Sequence, residues 1–232
     1  MTNMSTWDLT AHAEGDRLTW RNKITVLYDA ADWLACYKEA QAMAAAYPWS
    51  VRALISKAAL LGDSAEVFPH GPERRRRKAA AIRQLRYWIR TPPIKLPTAL
   101  ANYARNELFY HSGEFKKQAL LGRAELKSGE QYAIYSIGVG AAFHAAELMR
   151  LGQPVRAARW ASESLEAWEA YYKLPKTRDR FDTHTFKAVA LAVLGREDEA
   201  EEELKIVAGI IGKDIRETCI YDVQARLRWC RR

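Results

Sequence analysis

The sequence predicts an all-α fold of about ten or eleven helices. It contains 38 Ala, about 16% of the 232 residues, but only 12 Gly and 8 Pro. An all-β fold needs turn residues in quantity, whereas alanine is the best helix former. No segment shows the sustained alternation of apolar and polar residues that a half-buried strand requires. With 49% hydrophobic residues, the chain can bury a core and is not expected to be disordered.

The first 62 residues predict helical hairpins. Residues 6–29 carry apolar side chains at helical spacing, although Thr and Val weaken the helix propensity there. Asp32 is a candidate cap for a second helix, whose apolar face continues until Pro48. A third helix is predicted from about Ser50 to Leu61, with its end at Gly62.

Residues 63–97 predict an insert that consists of a loop and one basic helix. The loop contains three residues that break helices, namely Pro69, Gly71 and Pro72. The helix begins near Glu73 and must end at Pro92 and Pro93, because proline cannot continue a helix.

Residues 98–232 predict a regular series of helical repeats, and the whole chain is expected to form a single continuous domain. The predicted ranges are about Thr98–Ser112, Glu114–Leu126, Ala133–Leu151, Pro154–Tyr172, Thr183–Leu194, Glu197–Ile211 and Asp214 to the C-terminus.

Glycines recur where these helices are predicted to end. Leu61-Gly62, Leu151-Gly152 and Leu194-Gly195 each close a helix, and Ser112-Gly113 does the same. Glycine adopts the left-handed conformation that ends a helix, so the chain can reverse into an antiparallel partner. Small or apolar residues stand at equal offsets from the last two glycines: Ala145 and Ala188, Leu148 and Leu191, and Ala157 and Ala200.

This pattern resembles the tetratricopeptide repeat, in which a helix ends at glycine and the following helix carries an alanine against it. The matching segments are Ala141–Leu165, Lys187–Leu204 and, in part, Gly113-Glu114-Phe115. The glycines are 51, 39 and 43 residues apart, whereas the family repeats every 34 residues. The resemblance implies a right-handed stack of lengthened helix hairpins with a concave face, and such stacks usually bind proteins or peptides.

The resemblance also implies which side chains line the concave groove. They come from the first helix of each pair: Tyr103, Glu107, Tyr110 and His111, then Ala142, Ala146, Met149 and Arg150, then Asp182 and Thr185. Tyrosine and arginine combine contact area with directional hydrogen bonds, which suits them to anchor an interface. The alternative is that Tyr103 and Tyr110 are core residues with satisfied hydroxyl groups.

The net charge of +8 arises from one segment. Residues 74–95 contain nine cations and no acid, and the rest of the chain is therefore nearly neutral. On a helix, Ile82, Leu85, Trp88 and Ile89 form an apolar stripe, and another face carries four arginines: Arg76, Arg83, Arg86 and Arg90.

Arginine binds carboxylates and phosphates alike, so the basic segment predicts either an acidic protein partner or a nucleic-acid backbone. The protein partner is favoured, because the chain has no helix-turn-helix, RNA-binding strand signature or second basic patch. A solvated basic helix without a partner is the third interpretation.

The sequence gives little indication of an enzyme, a metal site or a cofactor. The five histidines form no His-x-x-x-His pair, and Gly138-Val139-Gly140 lacks the third glycine and the preceding strand of a dinucleotide site. Asp182 and His184 stand two residues apart on a helix and point in different directions. Gly138 and Gly140 are instead expected to let helices pack closely.

We therefore expect a cytoplasmic, bacterial-type, non-enzymatic protein-binding module, either a scaffold or a neutraliser of a toxin or effector. No apolar stretch is long enough to span a membrane, and three cysteines indicate neither a disulfide framework nor a zinc module. The acidic run at residues 197–203 fits a helix start, where negative charge is favourable. It could also pair with the basic segment of a second copy, which would give a homodimer.

Overall fold

The computed structural model describes residues 14–90, 96–126, 131–174, 180–212 and Leu227. These ranges contain ten α-helices and no β-strand, which confirms the all-α class. The helices are α1 (Glu14–Asp29), α2 (Trp33–Ala46), α3 (Val51–Asp63), α4 (Pro72–Arg90), α5 (Thr98–Ser112), α6 (Phe115–Leu126), α7 (Gln131–Arg150), α8 (Pro154–Tyr172), α9 (Phe181–Val193) and α10 (Glu197–Ile211). A short 3-10 helix, Ser64–Val67, follows α3.

The chain divides into two compact units, Met1–His111 and Ser112–Arg232. The first unit holds α1 to α5, and the second holds α6 to α10. None of the described helices combines the length and the apolar character that a membrane span would need.

In the first unit, α1 packs on α2, α2 on α3 and α3 on α4. The predicted cap is confirmed, since the Asp32 carboxylate accepts a hydrogen bond from the Ala35 amide at 3.0 Å. Ser50 caps α3 in the same way. The core of this unit joins α3, α4 and α5 through the buried residues Val51, Ile55, Ala58, Leu85 and Ala104. The predicted basic insert is therefore part of the packed structure of the first unit.

Gly62 lies inside α3, so the predicted helix stop at Leu61-Gly62 is wrong. Its φ is not in the left-handed region, and the helix continues to Asp63. A Cβ atom on Gly62 would lie 2.4 Å from the imidazole ring of His111. The absence of a side chain at Gly62 thus makes room for a histidine from α5.

In the second unit, α7 packs against α6, α8 and α9, and α9 also packs against α8 and α10. Its largest fully buried side chains include Trp168, Phe143 and Phe181. The alanines predicted to allow close approach are buried, at 0% exposure for Ala145, Ala157 and Ala188 and 4% for Ala200.

Three of the predicted glycine stops are confirmed. Gly113, Gly152 and Gly195 have φ values of 74°, 68° and 72°. After α7 the amide of Gln153 donates to the carbonyl of Leu148 at 2.9 Å, and Arg196 donates to Leu191 at 3.0 Å after α9. These six-to-one hydrogen bonds define Schellman motifs. Because only three residues join α7 to α8 and α9 to α10, each packed pair runs antiparallel.

Gly138 and Gly140 allow close helix packing, as the sequence predicts. A Cβ atom on Gly138 would lie 2.5 Å from the Trp168 ring, and one on Gly140 would lie 2.6 Å from the Ala119 amide nitrogen. The glycines of α7 are therefore required for contact with α8 and α6.

Most of the predicted helix ranges are close to the observed ones. Thr98–Ser112, Pro154–Tyr172 and Glu197–Ile211 are observed as predicted, whereas α7 and α9 each begin two residues earlier. Some predictions lie outside the described residues: the chain before residue 14, the end of the basic segment at Pro92, Pro93 and Lys95, and the helix after Asp214 with Cys219 and Cys230.

Candidate functional site

The candidate site is the outer surface of α4, which the core of the first unit holds in place. Ala81 and Leu85 are fully buried, and Trp88 and Ile89 are half-buried against the same core. The apolar stripe predicted for this helix is therefore its inner face, and the opposite side of α4 faces solvent.

Two cations at the start of α4 turn inward and belong to the structure of the unit. The Arg74 guanidinium binds the Glu66 carboxylate at 2.7 Å and donates to the Phe68 carbonyl at 3.2 Å. Lys78 binds the other oxygen of Glu66 at 2.8 Å. Arg74 and Glu66 are each only 4% exposed, so this contact is a buried ion pair that ties α4 to the preceding 3-10 helix.

Arg77 is also engaged within the unit. It donates to Glu73 at 2.7 Å and to the Ser64 hydroxyl at 2.9 Å. Its guanidinium carbon stands over the Phe68 ring, 4.7 Å from the centroid. Three of the first five cations of the basic segment therefore stabilise α4 instead of facing a partner.

The remaining arginines of α4 form one exposed surface, which we call the basic face: Arg75, Arg76, Arg83, Arg86 and Arg90. At 100° per residue these positions fall within about a 100° arc of the helix. Tyr87, 54% exposed, lies at the edge of the arc. Within the described part of the chain no carboxylate bonds to Arg75, Arg83, Arg86 or Arg90.

Arg76 differs from the other four, because its guanidinium bonds to Glu73 at 2.9 Å. This hydrogen bond raises the pKa of Arg76 and lowers the pKa of the Glu73 carboxyl. Both groups are charged at neutral pH, and the same carboxylate also holds Arg77.

One of the α5 residues predicted for the groove, Tyr103, lies beside the core of the first unit. It packs against the same buried cluster as Trp88, Leu100 and Leu108. Burial raises the pKa of Tyr103 well above its ordinary value, and the charges of Glu107 and Asp63 add to this. Tyr103 is half-buried beside the core, and both its roles, in the groove and in the core, stay predictions. Tyr110 is half-buried, and its ring meets that of His111 edge to face at 5.2 Å.

His111 is buried between α3 and α5, with its ring against Gly62. Its Nε2 atom lies 3.7 Å from a Glu107 oxygen and 3.9 Å from an Asp63 oxygen. The structure therefore brings Tyr103, Glu107, Tyr110 and His111 together on α5, with His111 in the interior of the first unit.

The groove residues predicted from the second unit are divided between surface and interior. Arg150 is exposed and Met149 is half-buried, whereas Ala142, Ala146 and Thr185 are buried. Asp182 is 3% exposed, accepts a hydrogen bond from the Tyr135 hydroxyl at 2.8 Å and pairs with Arg180 at 3.1 Å. Its carboxylate thus has partners within its own unit.

The structure also shows a polar cluster that the sequence did not predict. His184 Nδ1 donates to the Glu203 carboxylate at 2.5 Å, and Lys187 binds the other oxygen at 2.6 Å. Burial pushes the pKa of Glu203 upward, but the hydrogen bonds from His184 and Lys187 outweigh it and lower the pKa below its ordinary value. His184 and Asp182 have different partners, as their spacing predicts. The sequence contains one sign of this cluster. His184 and Lys187 are three residues apart, which places both on one side of α9.

The described residues contain no group of three or more His, Cys, Asp or Glu side chains that could hold a metal ion. Comparisons with models of protein families, with curated proteins and with solved structures found no match for this chain.

Proposed function

We propose that this chain is a non-enzymatic binding module that captures an acidic protein segment through the basic face of α4. The observation that carries the proposal is the division of the cations in one helix. Arg74, Arg77 and Lys78 are held by Glu66 and Glu73 inside the unit, whereas Arg75, Arg83, Arg86 and Arg90 have no carboxylate bonded to them in the described residues.

The anchoring of α4 supports this role. Because Leu85 and Ala81 are buried, the arginine positions are fixed on a rigid helix, and only the side chains must become ordered on binding. Guanidinium groups bind carboxylates through two parallel hydrogen bonds, which gives both affinity and orientation. A patch of one sign also increases the rate of encounter with an oppositely charged partner.

We further propose that the second unit contributes tetratricopeptide-like repeats to partner binding. The pairs α7–α8 and α9–α10 are antiparallel, end their first helices at left-handed glycines and bury alanines between them. In this proposal exposed Arg150 lies on the concave surface of the repeats. Within the described residues Cys36 is a free thiol, which agrees with the proposal of a reducing, cytoplasmic environment. We propose two roles for such a module. It is either a scaffold for other proteins or a neutraliser of a toxin or effector.

The test is a charge reversal on the basic face with a matched control. Arg83→Glu, Arg86→Glu and Arg90→Glu in one variant should weaken binding of a fluorescent polyglutamate peptide by about a hundredfold in anisotropy titrations. The control variant carries Lys116→Glu, Arg159→Glu and Lys173→Glu, three exposed cations of the second unit, and has the same net charge. It should bind nearly as the unmodified protein does.

Equal loss in both variants would mean that the peptide responds to total charge, and the proposal would fail. Nucleic acid is the competing ligand. A ratio of absorbance at 260 nm to that at 280 nm typical of bound nucleic acid, falling as salt rises during purification, would favour the nucleic-acid function instead.

A further inference from the structure

The basic face has a small residue at its centre. Ala79 is exposed, and the arginines surround it at helical neighbour positions: Arg75 four residues before, Arg76 three before, Arg83 four after and Arg86 seven after. Ala80, beside it, is half-buried. The arginines therefore surround one exposed alanine, and another backbone can come close to α4 at this position.

The arginines also repeat with the period of a helix. Arg83 and Arg90, to which no described carboxylate bonds, are separated by seven residues, which is two turns or about 10.5 Å along the axis. Arg76, which is already bonded to Glu73, lies seven residues before Arg83. An extended strand repeats the side chains of one face every two residues, or about 6.8 Å, and its residue at about 10 Å points to the opposite face. A second helix with acids at every seventh position matches the 10.5 Å repeat.

We propose that the partner element is an acidic α-helix that lies along α4, with its carboxylates at seven-residue intervals opposite the arginines. This inference rests on the proposed function and specifies the shape of the acidic segment. Packed helices have axes about 8–10 Å apart, and the closest approaches need small residues at the contact. Ala79 supplies a small residue at the contact, and Tyr87 supplies an exposed aromatic group towards the other end of the helix.

The inference is tested with two helix-stabilised peptides of identical composition. The registered peptide carries Glu at every seventh position and at the adjacent positions of the same face, and the permuted peptide distributes the same Glu residues around the helix. We expect the registered peptide to bind the unmodified protein about tenfold more tightly in anisotropy titrations.

A second variant separates contact from charge. Ala79→Trp leaves every charge in place but places a bulky side chain at the centre of the basic face, and it should weaken binding of the registered peptide about tenfold. Ala170→Trp, at an exposed alanine of α8, is the matched control and should have no effect. Circular dichroism melting of both variants checks that neither residue is needed for folding.

The outcomes distinguish this inference from the proposed function. Equal affinity for both peptides, no binding of the registered peptide, or full binding by Ala79→Trp would overturn the acidic helix as the partner. Each of these results leaves the proposed function to be judged by polyglutamate and the charge-reversed variant, which do not depend on helical register.

Discussion

At Gly152 and Gly195 the chain takes a left-handed conformation that local sequence is sufficient to predict, because Leu-Gly after an apolar helix face is a helix-ending signal. Gly62 has the same local sequence but a different role. The reason is His111, which lies 49 residues later in the chain and packs on it. The backbone conformation of a glycine can therefore be predicted from sequence where neighbouring residues determine it. It cannot be predicted where a tertiary contact determines it.

Gly152 has a positive φ, whereas Gly209 lies inside a helix, so replacing each one by alanine should change the free energy of unfolding in opposite directions. Gly152→Ala should lower the free energy of unfolding by about 1 kcal/mol, since a Cβ atom is disfavoured at positive φ although no neighbour lies within 4 Å of it. Gly209, inside α10 and equally open, is the control. Gly209→Ala should raise the free energy of unfolding by about 0.5 kcal/mol in urea denaturation. Stabilisation by both substitutions would mean that the turn at Gly152 is not left-handed.

Cys36 should be unreactive in the native state. Burial raises the pKa of its thiol to about 12, and the carboxylates of Asp63, Asp32 and Asp29 contribute. In a variant with Cys219→Ser and Cys230→Ser, a thiol reagent at pH 8 should label Cys36 only as fast as the first unit opens. Rapid labelling that does not slow under stabilising conditions would show that the thiol is accessible.

Within α4, a rotation of 100° per residue places Arg74 inward and Arg75 outward. The apolar stripe predicts which side of the helix is buried, and it therefore predicts the exposed positions of Arg83, Arg86 and Arg90. It does not predict the ion pair of Arg74, because Glu66 becomes buried through the packing of the 3-10 helix against α2, α3 and α4.

The buried ion pair and the basic face should respond differently to mutation. Glu66→Ala leaves buried Arg74 without its carboxylate and should lower the free energy of unfolding by about 3 kcal/mol. Arg83→Ala, at an exposed position, should change it by less than about 0.5 kcal/mol. Chemical denaturation measures both. A large effect of Arg83→Ala on stability would identify that arginine as structural and remove it from the basic face.

The polar cluster between α9 and α10 predicts a pH dependence of stability. Because the folded protein lowers the pKa of Glu203 below its ordinary value of 4.5, the carboxylate contributes stability above that pH. The contribution is lost as the pH falls below about 4.5 and through the lowered pKa. Thermal melts of the unmodified protein and of Glu203→Gln should therefore differ at pH 7, and the difference should shrink as the pH falls below about 4.5. A constant difference across this range would contradict the pKa direction.

For the whole molecule, composition predicts the all-α class, and the position of nine cations in residues 74–95, eight of them in α4, identifies the source of most of the net charge of +8. The structure adds that part of this charge is used internally and part is presented to solvent. Sequence alone cannot make this division, since it depends on which carboxylates fold against the helix. The basic face is thus a smaller and more ordered surface than the basic segment suggests.

The central claim is that the basic face of α4 binds an acidic partner. An exchange of binding preference tests it most directly. The variant with Arg83→Glu, Arg86→Glu and Arg90→Glu should lose polyglutamate and gain polylysine, with an affinity for polylysine about tenfold above that of the equally charged control in the second unit. If the two variants bind polylysine equally, the surface of α4 is not where recognition takes place.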